Sequence, residues 1–353
     1  MIKYIGSKRR LVPALAAIGR IVQAQRSLDL FTGTTRVAQA FRADGAHVTA
    51  VDLTSYAHAF ARAYIATDVG PRRRIALERA ISELDALAGH EGYVTETFSR
   101  GARYLTPENG RRVDAIRDAI ADRYTGTWLE PVLLTALVEA ADRVDSTTGL
   151  QMAYLKSWAP RSARRLTLVA PAIPAGPKGR AVHGDAIELS GRLGRFDLAY
   201  LDPPYNQHRY ESNYHVWETI VRNDRPESYG IARKRVDLRD RSRRSAFNDR
   251  RGARAALASC LRDLDARVLI VSQSNEGYVS HDDLVALCAT RGRPERIAVP
   301  TRRYVGAQIG IHSPAGEKVG TVSHLHNVEY VFVTGDLTRA ERTALRRIAV
   351  APA

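Results

Sequence analysis

Phe196-Asp197-Leu198-Ala199-Tyr200-Leu201-Asp202-Pro203-Pro204-Tyr205 is the stretch on which the reading of this chain turns. From Phe196 to Leu201 the run is apolar at every position but Asp197, which suits a short buried strand, and two consecutive prolines end it. In a sheet whose strands are joined by helices, the carboxyl end of a strand opens into the ligand crevice. Asp202, Pro203, Pro204 and Tyr205 are therefore expected where a ligand binds. A plain strand that ends in a proline turn, with Tyr205 packing, is the alternative on these residues alone.

Outward from this run, Val268 to Val271 reads as another buried strand. Towards the N-terminus, a helix over Arg10 to Gln25 precedes a strand at Leu28 to Phe31, a helix carrying Val37, Ala38 and Phe41, and a strand at Val48 to Val51 that ends at Asp52. The alternation resumes at Ala181 to Ala186. Runs at Ile297 to Val299, Tyr304 to Ile309 and Val328 to Val333 close the chain, and the last two, with no helix between them, predict an antiparallel edge. The pattern predicts an α/β, doubly wound, mostly parallel sheet. Residues 68–180 read as an inserted helical region, with Thr106-Pro107-Glu108 as a helix start and the first strand-like run at Leu166 to Val169. The predicted division is thus a catalytic domain of residues 1–67 and 181–353, interrupted by a helical insertion of residues 68–180.

The tetrapeptide suits one kind of chemistry. The lone pair of an aromatic amine is delocalised into its ring, so a site that uses this nitrogen as a nucleophile has to bind both amine hydrogens with acceptors. The Asp202 carboxylate can take one and the Pro203 carbonyl, on a backbone stiffened by Pro204, the other. Tyr205 offers a face on which an extruded base stacks. No cysteine nucleophile is required, and Cys260 and Cys288 both fall in apolar helical patterns.

Phe31-Thr32-Gly33-Thr34-Thr35 reads as a nucleotide-binding turn, or as an ordinary tight turn before a helix. Asp52, at the end of the next strand, favours the first, since an acid there can bind a ribose hydroxyl pair. Asp185 is either an acceptor for a cofactor's adenine amine or a helix N-cap. In Tyr4-Ile5-Gly6-Ser7-Lys8, an aromatic, a glycine turn and a lysine suit a cofactor's carboxylate end, or simply a basic surface.

The formal net charge is +15 over 353 residues, which favours a polyanionic partner. Its densest stretch, Arg233 to Arg251, includes Arg233, Lys234, Arg235, Arg243 and Arg244, and is expected to grip a nucleic-acid backbone. No apolar run is long enough to span a bilayer, and nothing at the N-terminus resembles an export signal, so the cytoplasm, in association with the nucleoid, is the expected location. His312, His324 and His326 lack the spacing of a metal site, and no metal is expected.

Together, Lys3-Tyr4-Ile5-Gly6-Ser7-Lys8, Asp29-Leu30-Phe31-Thr32-Gly33-Thr34, Val51-Asp52, Gly184-Asp185-Ala186 and Asp202-Pro203-Pro204-Tyr205 resemble, in kind and order, the Dam-like DNA adenine-N6 methyltransferases. The resemblance implies a Rossmann-like methyltransferase fold, S-adenosylmethionine as cofactor and double-stranded DNA as substrate. It also implies catalysis by Asp202, Pro203, Pro204 and Tyr205, with cofactor binding by Tyr4, Lys8, Phe31, Gly33, Asp52 and Asp185. In such enzymes the region corresponding to 68–180 often recognises the target, and Arg100, Arg103, Arg111, Arg112, Arg161, Arg164 and Arg165 are candidates for contact with phosphates or guanine edges. The chain departs from the pattern at Thr35, where a second glycine is usual, and at Tyr4, where tryptophan is often found; both imply altered cofactor affinity. A restriction endonuclease as companion, and the oligomeric state, stay open. The rival readings are methylation of cytosine N4 or RNA adenine, and a DNA-binding protein that has lost catalysis.

Overall fold

The run Phe196–Leu201 lies at the centre of a seven-stranded sheet. The computed structural model describes residues 2–6, 8–240, 244–302, 311–312, 318–320 and 326–348. In chain order the sheet strands are β1 (Arg26–Asp29), β2 (His47–Asp52), β3 (Arg180–His183), β4 (Phe196–Leu201), β5 (Ala266–Ser274), β6 (Glu295–Arg302) and β7 (His326–Gly335), and their spatial order is β3-β2-β1-β4-β5-β7-β6. Strands β3, β2, β1, β4 and β5 pair in parallel. Strand β7 runs antiparallel to both β5 and β6. The expected antiparallel element is therefore present but not at the edge: Val328 to Val333 lies inside the sheet and β6 forms its border. The Tyr304 to Ile309 run lies outside the described residues.

Helices cover both faces, so the strands carry apolar side chains on both sides. In β4, Leu198 and Tyr200 face one apolar layer and Ala199 and Leu201 the other; in β5, Val268 and Ile270 oppose Leu269 and Val271 in the same way. Helices α1 (Val12–Ile21), α2 (Arg36–Ala43) and α3 (Ser55–Tyr64) lie on the first face. The second is closed by three helices, at Ala186–Leu189, Ala253–Asp263 and His281–Ala289.

Residues 68–180 contribute α4 (Pro71–Asp85), a π-helical turn (Thr95–Arg100), α5 (Pro107–Tyr124) and α6 (Leu129–Val144). As the sequence predicts, Thr106 caps α5, its side chain accepting from the Asn109 amide. These helices do not form a separate core. Leu84, Ile116, Ile120, Val132 and Leu137 belong to the same apolar cluster as Leu198 and Ile270, and α6 packs on α3.

The run Leu166 to Val169 is not a strand. Leu166 and Leu168 are buried against α4 and α5, and side chains hold their backbone: Asn109 Oδ1 accepts from the Leu166 amide at 2.8 Å, Asp85 Oδ1 from the Leu168 amide at 2.8 Å, and Arg112 Nε donates to the Leu166 carbonyl at 2.9 Å. Burial of every second residue against helices imitates the alternation of a strand without any ladder.

Candidate active site

The carboxyl ends of β1, β2 and β4 open onto one cleft with about 1040 Å³ of space, part of it open to solvent. Tyr4, Lys8, Phe31, Gly33, Asp52, Asp185, Asp202 and Pro204 all line it. Residues separated by nearly two hundred positions meet there because β1 lies between β2 and β4.

At one end, Asp202 follows directly on β4. Its Oδ1 lies 2.9 Å from Lys8 Nζ and accepts from the Ser272 hydroxyl at 3.0 Å, and Ser272 in turn is 2.8 Å from the Tyr200 hydroxyl. Lys8 Nζ also lies 2.9 Å from Glu329 Oε1 on β7, and sits 5.7 Å from the centroid of the Tyr205 ring. Burial lifts the Asp202 carboxyl to about 6; Lys8 pulls it down and Glu329 pushes it up. Burial opposes the charge on Lys8, but the two carboxylates outweigh it and hold the ammonium well above the ordinary lysine range. Lys8 was expected to serve a cofactor carboxylate; the structure instead pairs it with two protein carboxylates. Oδ2 of Asp202 and the Pro203 carbonyl take no donor from the described residues. Tyr205 is half-buried, with its carbonyl accepting from the Tyr278 amide at 2.7 Å.

At the other end, Asp52 supports the glycine turn. Its Oδ2 accepts from the Gly33 amide at 2.8 Å, while Oδ1 takes the amide and hydroxyl of Thr54. Gly33 has a φ of 48°, and a Cβ on it would stand 3.0 Å from the Tyr4 hydroxyl, so both conformation and crowding favour glycine. The Tyr4 ring stacks on Tyr214 at 4.7 Å and on Tyr210 at 5.2 Å, which seats the N-terminal segment against the turn. Thr35 adopts the left-handed conformation itself, at a φ of 62°, and is buried, with its hydroxyl donating to the Thr34 carbonyl and accepting from Gln39 Nε2. Asp185 is the N-cap of the short helix Ala186–Leu189, accepting from the Ile187 amide at 2.7 Å, and Phe31 meets Phe247 edge-on at 5.1 Å.

Between the two ends lies Asp29. Oδ2 accepts from the Thr32 hydroxyl and the Ala38 amide, but the buried Oδ1 has no partner. Burial pushes its carboxyl up to about 7, with Thr32 pulling the other way. A buried acceptor left without a donor beside a nucleotide-type turn matches a ligand that carries an ammonium group.

A model of the D12 class N6 adenine-specific DNA methyltransferases matches residues 4–252. The chain belongs to that family. It is similar to modification methylase StsI of Streptococcus sanguinis, 30% identical over 322 residues that cover 86% of this chain and 48% of that protein. It is also similar to the type II methyltransferase M.NlaIII of Neisseria lactamica, 27% identical over 343 residues covering 93% of this chain and 99% of the relative. For M.FokI of Planomicrobium okeanokoites the figures are 27% over 327 residues, with 86% and 49% covered. The chain thus spans about half the length of StsI and M.FokI and nearly all of M.NlaIII. Membership implies a methyl donor, and the resemblance read from the sequence named this family.

The basic stretch of this D12 family member separates into two kinds of residue. Arg235 is buried and gives all five N–H donors to protein: Nε and Nη2 bond Asp237, Nη1 and Nη2 bond Asp224, and Nη1 bonds the Thr219 hydroxyl. The expectation that it grips a nucleic acid is therefore corrected. Arg233 and Arg244 are exposed and Lys234 half-buried; Arg243 lies outside the described residues. Among the arginines of 68–180, Arg112 is likewise buried, bonded to Asp85 and to three backbone carbonyls, and Arg161 bonds Asp145. Arg100 and Arg111 pair with Glu91, and Arg165 with Asp85.

Three residues in or just behind the cleft carry no signal in the motifs. Glu329 interrupts the apolar run Val328 to Val333, Ser272 is a polar residue at the end of an apolar strand, and Asp29 is an acid inside a buried one. Each is a break in a hydrophobic pattern, and that break is the signal that would have found it. Cys260 and Cys288 are buried, their thiols pushed up by burial to about 11 and about 12.

Proposed function

We propose that this protein is a site-specific DNA adenine-N6 methyltransferase that uses S-adenosylmethionine, the modification arm of a restriction–modification system. The observation that carries the reading is the Asp202 carboxylate at the cleft: Oδ1 is fixed by Lys8 and Ser272, while Oδ2 and the carbonyl of the adjacent, buried Pro203 take no donor from the described residues. These are two fixed acceptors at the end of one strand, as binding the two hydrogens of an aromatic amine requires. With both hydrogens held, the nitrogen lone pair is freed from the ring, and positive charge that grows on the nitrogen faces a carboxylate already in position. Tyr205 supplies the stacking face that offsets the few kcal/mol of base extrusion.

S-adenosylmethionine, when bound, supplies an electrophilic methyl group on a sulfonium sulfur. Asp29 Oδ1 suits its ammonium group, Asp52 its ribose hydroxyls and Asp185 its adenine amine, with Phe31 against the adenine face and Gly33 allowing close approach. Tyr4 acts by holding the turn in place. Alignment, rather than acid–base power, is the main contribution of these groups.

The DNA is read by a surface shared between 68–180 and the ribbon of Ser228–Tyr229 and Lys234–Arg235. Arg233 Nε donates to the Gly101 carbonyl and Tyr104 donates to the Ala232 carbonyl, so the ribbon tip is seated on that region. Ile231, 82% exposed on the seated tip beside Arg233 and Lys234, has the character of an apolar wedge between base steps.

The test is methyl transfer from radiolabelled cofactor to duplex DNA. Wild type incorporates label on adenine N6, and Asp202→Ala does not, although it binds the same DNA. Label on cytosine, or on RNA alone, refutes the substrate; equal incorporation by both proteins refutes the role of Asp202.

A further inference from the structure

Glu329 is a buried acid in the site to which neither the motifs nor the family match gives a task. It lies on β7 opposite Ser274 of β5, the strand whose parallel pairing with β4 brings Ser272 to Asp202. Its side chain is 10% exposed. One ammonium group, Lys8 Nζ, stands 2.9 Å from Glu329 Oε1 and 2.9 Å from Asp202 Oδ1. Two carboxylates, one buried and one largely so, thus share one cation.

An acceptor wholly neutralised by an adjacent ammonium binds an amine hydrogen poorly, whereas an acceptor without a cation loses its orientation and is costly to keep charged in a buried place. Sharing resolves this conflict, because each carboxylate draws the ammonium away from the other. We propose that Glu329 is a positioning residue for methyl transfer: by drawing on Lys8 it keeps the Asp202 carboxylate both oriented and available to the target amine. The assignment rests on the adenine-methyltransferase reading above.

Groups around Asp202 on every side bear on its titration. Lys8, Glu329 and Ser272 touch it or its partner, and Tyr200, Tyr205, Tyr210 and Asp29 act from farther off. Replacing Glu329 by glutamine removes one negative charge from this set and leaves Lys8 to Asp202 alone. Asp202 then holds its charge to lower pH.

The experiment measures kcat and KM against pH for wild type, Glu329→Gln, Glu329→Asp, Lys8→Gln and the Lys8→Gln/Glu329→Gln double variant, on duplex DNA with radiolabelled cofactor. For Glu329→Gln the expected result is a kcat lowered on the order of tenfold or more with KM for DNA little changed, less than the roughly 100- to 1,000-fold for a group that touches the reacting atoms because Glu329 acts through Lys8. The acid limb of kcat moves to lower pH. Glu329→Asp, which keeps the charge, returns the limb towards wild type and recovers part of the rate, and it also serves if the glutamine variant does not fold. In the Lys8→Gln background the Glu329→Gln change lowers kcat little further, because its effect on rate passes through Lys8, while loss of its direct repulsion on Asp202 still moves the acid limb. An unmoved acid limb, or losses that simply multiply in the double variant, overturns the assignment while active wild type upholds the methyltransferase reading. A wild type that methylates no DNA overturns both.

Discussion

Arg235→Met separates a structural arginine from one that binds DNA. The wild-type side chain is 3% exposed, and its five donors are all spent on Asp224, Asp237 and Thr219. Stranding the partners of a buried ion pair costs roughly 3–5 kcal/mol. Here the two acids are 28% and 27% exposed and keep Arg222, 2.8 Å from Asp224 and 3.4 Å from Asp237, so part of the loss is recovered and about 2–3 kcal/mol is expected. With roughly 2.1 cal/mol/K of unfolding entropy per residue, the 353-residue chain should then melt about 3–4 °C lower by calorimetry. The second assay is the salt dependence of DNA binding, in which each phosphate contact contributes about 0.9 to the slope of log K against log salt. A structural Arg235 leaves that slope unchanged. An unaltered melting temperature with a slope smaller by about 0.9 would refute the reasoning and return Arg235 to the DNA surface.

Other outcomes follow from the cleft. Because burial raises the Asp29 carboxyl from its ordinary value to about 7, its ionised form costs stability. That cost is absent below the unfolded pKa, grows as pH rises from about 4 to about 7, and is constant above. Asp29→Asn should therefore gain stability over wild type across this window, reaching a few kcal/mol by pH 8 in denaturant titrations, while losing cofactor affinity by calorimetry; a gain largest at pH 4 would contradict this. At Thr35, left-handed strain of ~1–2 kcal/mol exceeds the ~0.5–1 kcal/mol entropic cost of glycine, so Thr35→Gly should unfold at higher denaturant than Thr35→Ala, and the reverse order would show that the turn is unstrained. Tyr205→Ala should lower the fluorescence rise of 2-aminopurine at the target more than it weakens cofactor binding; an equal rise in both proteins counts against stacking. Ile231→Ser should reduce kcat/KM about tenfold on a paired target but little when the target adenine faces an abasic site, and equal losses on both substrates would exclude a wedge.

The legible parts of this molecule are those in which chemistry and strand end coincide in sequence. Asp202 to Tyr205 directly after Phe196 to Leu201, and Gly33 with Asp52 after their strands, could be placed because each turn follows its own strand. Glu329 could not, since its neighbour Lys8 is brought to it only by the insertion of β7 between β5 and β6. Arg235 was read with Arg233 and Lys234 because composition does not tell a cation that faces solvent from one enclosed by Asp224 and Asp237. Leu166 and Leu168 alternate as a strand does, yet the partners of their backbone are the side chains of Asn109, Asp85 and Arg112, which no local pattern announces.

Helices α4 to α6 share their apolar interior with the sheet. Exchange of that whole block between relatives would leave α3 facing ill-fitting neighbours, so under the proposed function a change of target comes through single replacements at exposed positions rather than by cassette transfer. The same continuity ties the proposed DNA-reading region to the cleft through one apolar interior, so a substitution inside α5 or α6 is felt at both.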